Sequence, residues 1–167
     1  GSFTFYIAMA TIFATYLYNH TLKSSWLGPF AMGLCRTLNF WIGASVALSI
    51  ASAFDLHSDQ VSILKEALKR AIGFSLGTGA YVTVLTALSR YEVYGGKGAK
   101  RCGYLLALLS LSSLVWIGVG WLEMGAVVCL GAFVYLVYAM KPLWSDPQGD
   151  PTFVKRGVMA GIRGVAL

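Results

Sequence analysis

The chain has 167 residues, 57% hydrophobic and only 12% charged, with a mean hydropathy of +0.67. Soluble globular domains carry roughly a quarter charged residues, so the composition excludes a soluble domain and points to a polytopic membrane protein. The formal charge of +6 does not indicate a nucleic-acid partner, because the basic residues flank apolar segments and never form one long polar run. Cytoplasmic retention, or attraction to anionic lipid and phosphate, accounts for them better.

Apolar runs long enough to cross a bilayer, roughly 17–25 residues, predict an all-α bundle of about five to six transmembrane helices in one membrane domain, 1–167. The first span is expected at Phe3–Asn19 and the second at Gly28–Phe54. The third is expected at Ala71–Ser89, preceded by an amphipathic turn at Ile63–Arg70. Cys102–Trp121 and Glu123–Met140 supply the fourth and fifth. Pro142 suggests a break after the fifth, and Pro151 suits the first turn of a sixth segment running from Thr152 to Leu167. That last segment carries Lys155, Arg156 and Arg163, so it reads as either a shortened span or an interfacial helix. The pairs Gly73/Gly77 and Gly157/Gly161 have the spacing of close helix contacts.

Alternate loops differ in Lys and Arg content. Lys23, then Arg90, Lys97, Lys100 and Arg101, then Lys141, Lys155 and Arg156 fall on one side, which is expected to be cytoplasmic. Asp55 and Asp59, in DLHSD, fall on the other and read as a helix-capping loop. Cys35, Cys102 and Cys129 lack metal spacing and read as small packing residues, and His20 and His57 form no ligand cluster.

Arg36 is the only formal charge in the second run, and at the centre of a spanning helix it costs roughly 2.5–3.5 kcal/mol on insertion scales. Asn39 and Gly43 follow at i+3 and i+7, on the same helix face. Arg36 therefore either snorkels to the headgroups or lines a polar cavity that holds an anion. A second polar stripe, Gly79, Thr83, Thr86 and Arg90, leads to Glu92. If buried, Glu92 needs a cationic partner such as Arg90 or Arg36. Gly95–Arg101, GGKGAKR, has flexible backbone and three cations that suit a diphosphate, without the ending of a P-loop.

The runs YNHTLK (18–23), LGPFAMGLCRTLNFWIG (27–43) and ALSRYEVYGG (87–96) resemble the UbiA superfamily of intramembrane prenyltransferases, most closely its EboC-like branch. The resemblance implies a helical bundle that moves a prenyl group from a prenyl diphosphate to a lipophilic or aromatic acceptor, with Mg²⁺ bridging the diphosphate. It matches Tyr18 and Lys23 to the family's Tyr-Lys motif near the substrate mouth and sets Ser89, Arg90 and Glu92 where many members carry the second Asp-rich motif. Together with Arg36 and Asn39 from the polar face of the second run, Tyr18, Lys23, Ser89 and Arg90 are the expected substrate contacts and Glu92 the expected metal contact. One Glu with an Arg stands where many members have paired aspartates. The family's first Asp-rich motif is expected upstream of Gly1, so by this resemblance the chain is expected to correspond to a C-terminal portion and to show no turnover of its own. A noncatalytic carrier or scaffold that keeps the fold is the alternative.

Overall fold

A computed structural model describes residues 2–53, 58–118, 123–146 and 150–166. These residues are helical, with no strand among them. The helices are α1 (Ser2–Leu17), α2 (Gly28–Ala53), α3 (Ser58–Ser89), the single turn α4 (Tyr91–Tyr94), α5 (Gly98–Gly118), α6 (Glu123–Ser145) and α7 (Pro151–Ala166). Two compact units divide the chain, Gly1–Val82 and Thr83–Leu167, with the boundary inside α3. Among the described residues, two helices are long and apolar enough to cross a membrane, over Gly28–Ala51 and Ser62–Ser89.

In the first unit α1 packs against α2. Their connection opens with a π-helical turn, Tyr18–Leu22, closed by Lys23 N–H donating to Tyr18 O at 2.8 Å. Pro29 then sits in the first turn of α2, where its missing N–H costs nothing. Small polar side chains join the two helices: Thr15 Oγ1 donates to Cys35 Sγ at 3.8 Å, and the Thr4 and Ser49 hydroxyls lie 3.4 Å apart. Ile7, Ala31, Cys35 and Ser45 are buried. Away from α2, α1 presents Phe3, Phe5, Tyr6, Ile12 and Phe13, all exposed. An apolar face this continuous is a liability in water and unremarkable in lipid.

A different face of α2 meets α3. Trp41 Nε1 donates to Ser75 Oγ at 3.2 Å, Thr37 Oγ1 donates to Ser75 O at 3.3 Å, and Phe40 and Phe74 meet edge-on with centroids 5.4 Å apart. Gly79 makes this approach possible, since a Cβ there would collide with Thr37 Oγ1 and stand 3.1 Å from Gly33 O. The close-contact glycine is thus Gly79. At Gly77, expected from spacing to fill that role, a Cβ would meet nothing within 4 Å.

The second unit is built on larger apolar side chains. Leu106, Leu136, Met140, Leu143 and Val154 are fully buried or nearly so, where α5 and α7 both pack on α6. Gly103 receives Trp144 and Leu143, and Gly157 receives Met140, so glycine notches accept bulky neighbours. Tyr104 stacks on Trp144 with centroids 4.9 Å apart and planes 4° from parallel.

Chain reversal between α4 and α5 uses two positive-φ glycines, Gly95 (64°) and Gly96 (129°), a conformation that strains other residues. The GGKGAKR stretch is only partly a loop, because α5 begins at Gly98 and takes in Lys100 and Arg101. α6 likewise continues through Pro142 to Ser145, correcting the break expected there. Pro142 stands so near the helix end that about one turn follows it, and little downstream helix depends on the hydrogen bond it lacks.

α3 is also longer than its apolar run, continuing back through Arg70 to Ser58. Glu66 pairs there with Lys69 at 3.8 Å and with Arg70 at 3.3 Å, the i+3 and i+4 spacing that supports an exposed helical turn. Asp55 and the Asp59 side chain of DLHSD lie outside the described residues, as do His57 and the Cys129 side chain.

Candidate functional site

The first unit contains Tyr18, Lys23, Arg36 and Asn39. Tyr18 and Lys23 open and close the π-helical turn that precedes α2. Arg36 lies roughly 12 Å along α2 from its start, at 1.5 Å per residue. α1 takes the α2 side bearing Ala31, Cys35 and Ser45, and α3 the side bearing Gly33, Thr37 and Trp41. Arg36, Asn39 and Gly43 are on neither side and all three are exposed.

Neither Arg36 nor Asn39 has a hydrogen-bond or ion-pair partner among the described residues. A Cβ on Gly43 would meet nothing within 4 Å. Further along the same face come Val46, Ala47 and Ile50, also exposed. One uncovered face of α2 therefore begins with a guanidinium and an amide and continues as hydrocarbon to Ile50, about 16 Å beyond the amide.

Ser89, Arg90 and Glu92 belong to the second unit, at the bend between α3 and α4. Ser89 Oγ donates to Thr86 O at 2.8 Å, so its hydroxyl hydrogen is committed to the helix. Arg90 and Glu92 are half-buried, and α4 packs against α7. No ion pair reaches Glu92 among the described residues, and Glu92 is half-buried, not fully enclosed.

Of the three cations in GGKGAKR, Lys100 has a structural role. Its Nζ donates to Trp144 O at 3.1 Å, in the last turn of α6. Helix ends leave carbonyls without intrahelical partners, and a cation there also complements the helix dipole.

Mg²⁺ generally takes one or two carboxylates together with substrate phosphate oxygens. Among the described residues no three His, Cys, Asp or Glu side chains come together, and Glu92 is the only carboxylate at the α3–α4 bend. These residues do not by themselves make a Mg²⁺ site.

A further feature is a groove of about 750 Å³ between α6 and α7, in the second unit. Lys141, Lys155, Arg156 and Arg163 line it together with Tyr135 and Tyr138. None of the residues singled out from sequence as substrate or metal contacts lies on it. Its basic residues are visible in the sequence as orientation charges and as the charges of the last segment. That they surround one space depends on how α7 docks on α6.

Neither the scan against protein-family models nor the searches of curated proteins and of solved structures found a match.

Proposed function

We propose that the chain is a multi-pass integral membrane protein forming part of a UbiA-like intramembrane prenyltransferase, with the open face of α2 receiving a prenyl diphosphate. The observation that carries this reading is the order of groups on that face. Arg36 and Asn39 suit an anionic head, and Val46, Ala47 and Ile50 suit an isoprenoid tail lying along the same helix. The exposed aromatic face of α1 and the two long apolar helices support the membrane setting. Sequence resemblance supports the substrate class.

In that role Arg36 acts twice. It holds the diphosphate in a poorly hydrated environment, where a single charge–charge interaction is far stronger than in water. As the allylic C–O bond breaks, its electron pair stays with the departing diphosphate, and a fixed cation lowers the energy of that growing charge. The acceptor then supplies the electron pair for the new bond and loses a proton. A carrier would use the same face without the transfer, a reading favoured by the lone carboxylate Glu92.

The test is a titration of the full chain in lipid nanodiscs with a non-ionisable prenyl diphosphate analogue. Arg36→Gln is expected to weaken binding about tenfold, equivalent to about 1.4 kcal/mol, and Asn39→Ala to weaken it less. Unchanged binding in Arg36→Gln would establish the snorkelling role instead. Supplying an allylic diphosphate, Mg²⁺ and an aromatic acceptor to the same sample separates enzyme from carrier by the appearance of prenylated product.

A further inference from the structure

We propose that the α6–α7 groove binds the headgroup of an anionic phospholipid, independently of the α2 face. Four cations border the groove, and among the described residues no carboxylate pairs with any of them. The Lys141 and Lys155 ammonium groups have no hydrogen-bond partner among the described residues either. Arg163 Nη1 reaches the Tyr135 hydroxyl at 3.5 Å, and Arg156 lies 6.0 Å from the centre of the Phe153 ring. Both contacts leave most guanidinium N–H groups unused. Gathering like charges without a counter-ion is unfavourable, and an anion in the groove removes that cost.

The shape argues for an extended ligand. Lys155 and Arg163 are on one helix, about 12 Å apart along its axis, which is more than a single phosphate group spans. A volume of about 750 Å³ lies within the usual range for small-molecule sites. The remaining lining explains why that ligand is a lipid and not a free anion. Tyr138 is 77% exposed and Met159, also at the groove, 51% exposed.

α7 itself has the make-up of a helix lying at an interface. It buries Val154, Gly157, Val158 and Ala160, and turns Lys155, Arg156, Met159, Ile162 and Arg163 outward. Charge mixed with apolar bulk, beside a pair of tyrosines, suits the depth at which lipid phosphates meet acyl chains. Inorganic phosphate would satisfy the cations and leave the tyrosines and Met159 unused.

The experiment titrates the full chain in neutral detergent with short-chain phosphatidylglycerol, with phosphatidylcholine of equal chain length and, separately, with inorganic phosphate. Phosphatidylglycerol is expected to bind at least tenfold more tightly than phosphatidylcholine. Lys155→Gln and Arg156→Gln, both at exposed positions, are each expected to weaken phosphatidylglycerol about fivefold and the pair roughly twentyfold or more. Phosphatidylcholine binding should stay unchanged in all of them, and circular dichroism confirms that the variants keep their helix content.

Equal binding of the two lipids, or variants that bind phosphatidylglycerol as the parent does, would overturn the proposal. Displacement of the lipid by inorganic phosphate would turn the groove into a soluble-anion site. Arg36→Gln, in the other unit, is expected to leave phosphatidylglycerol binding intact. A loss there would place the lipid on α2 and overturn the assignment to the groove, whatever the outcome of the prenyl diphosphate titration.

Discussion

The two units hold their helices together by different means. In the first, hydroxyls, a thiol and an indole N–H cross between neighbouring helices, as in Thr15 to Cys35 and Trp41 to Ser75. The second fills its contacts with Met140 and Leu143 pressed toward Gly157, Leu143 and Trp144 toward Gly103, and Leu106 buried. Within a bilayer, lipid tails are as apolar as leucine, so burial alone gives helices little reason to associate. Close backbone approach and interhelical hydrogen bonds then matter more. Hydrogen bonds of the first unit's kind suit such a solvent, whereas the second unit, beside the cross-helix bonds of Lys100 to Trp144 O and Arg163 to the Tyr135 hydroxyl, relies more on volume matched to volume.

The largest effect expected from this contrast is at Met140. It is fully buried and its Sδ reaches Gly157, so Met140→Ala leaves a cavity between α6 and α7. A loss of about 2–4 kcal/mol is expected in reversible denaturant unfolding. Gly157→Ala on the same contact should be mild, because the neighbour that must yield is the end of a flexible thioether. A large loss from Gly157→Ala would mean that the second unit is as tightly constrained at its backbone as the first.

The first unit sharpens the comparison through two glycines that should respond oppositely. Gly79→Ala drives a methyl group into Thr37, a β-branched side chain already bonded to Gly33 O and Ser75 O, with the Gly33 carbonyl close behind. Overpacking there is expected to cost about 1–3 kcal/mol. Gly43→Ala meets open space and replaces a flexible residue with the best helix former, for a gain of up to about 1 kcal/mol. Thermal unfolding of both variants checks the pair, and equal responses would mean that α2 does not meet α3 through Gly79.

Much of this architecture is legible in the sequence, since hydrophobic runs mark helix positions closely. The second run, expected from Gly28, begins there as α2, and the fifth begins at Glu123 as α6. What escapes is local chemistry that runs against average tendencies. The YNHTLK stretch looks like a loop and winds as a π-helical turn, capped by the i−5 hydrogen bond from Lys23 N–H to Tyr18 O. The charged residues from Lys65 to Arg70 look like a separate turn, yet they continue α3 through Glu66 pairings that hydropathy does not register.

The candidate site divides in the same way. Arg36, Asn39 and Gly43 fall on one face by helical periodicity alone, and that face is uncovered in the structure. The basic groove needs Lys141 from α6 beside Lys155 and Arg163 from α7. No periodicity within one helix contains that information. Gly77 and Gly79 show the same limit, since spacing cannot tell which of two glycines faces the neighbouring helix.

The smallest expected effect concerns how α7 begins. Asp150 precedes Pro151, and its Oδ1 accepts from Thr152 N–H and from the Thr152 hydroxyl, each at 2.7 Å. The Thr152 side-chain bond, then the backbone bond, holds the Asp150 carboxyl below its usual pKa, while desolvation and then the Asp146 charge pull the other way. Because the folded-state value is depressed, the stabilisation is fully present above the unfolded value of about 3.9 and is lost as pH falls through the lower folded value. Asp150→Ala should therefore shorten α7 slightly at neutral pH and flatten the acid limb of its unfolding curve below about pH 4. Hydrogen exchange at the Thr152 and Phe153 amides is the local readout. If acid speeds exchange there equally in parent and variant, then Pro151 and the packing of Val154 start α7 without the carboxylate, and the second unit depends on volume even at its helix ends.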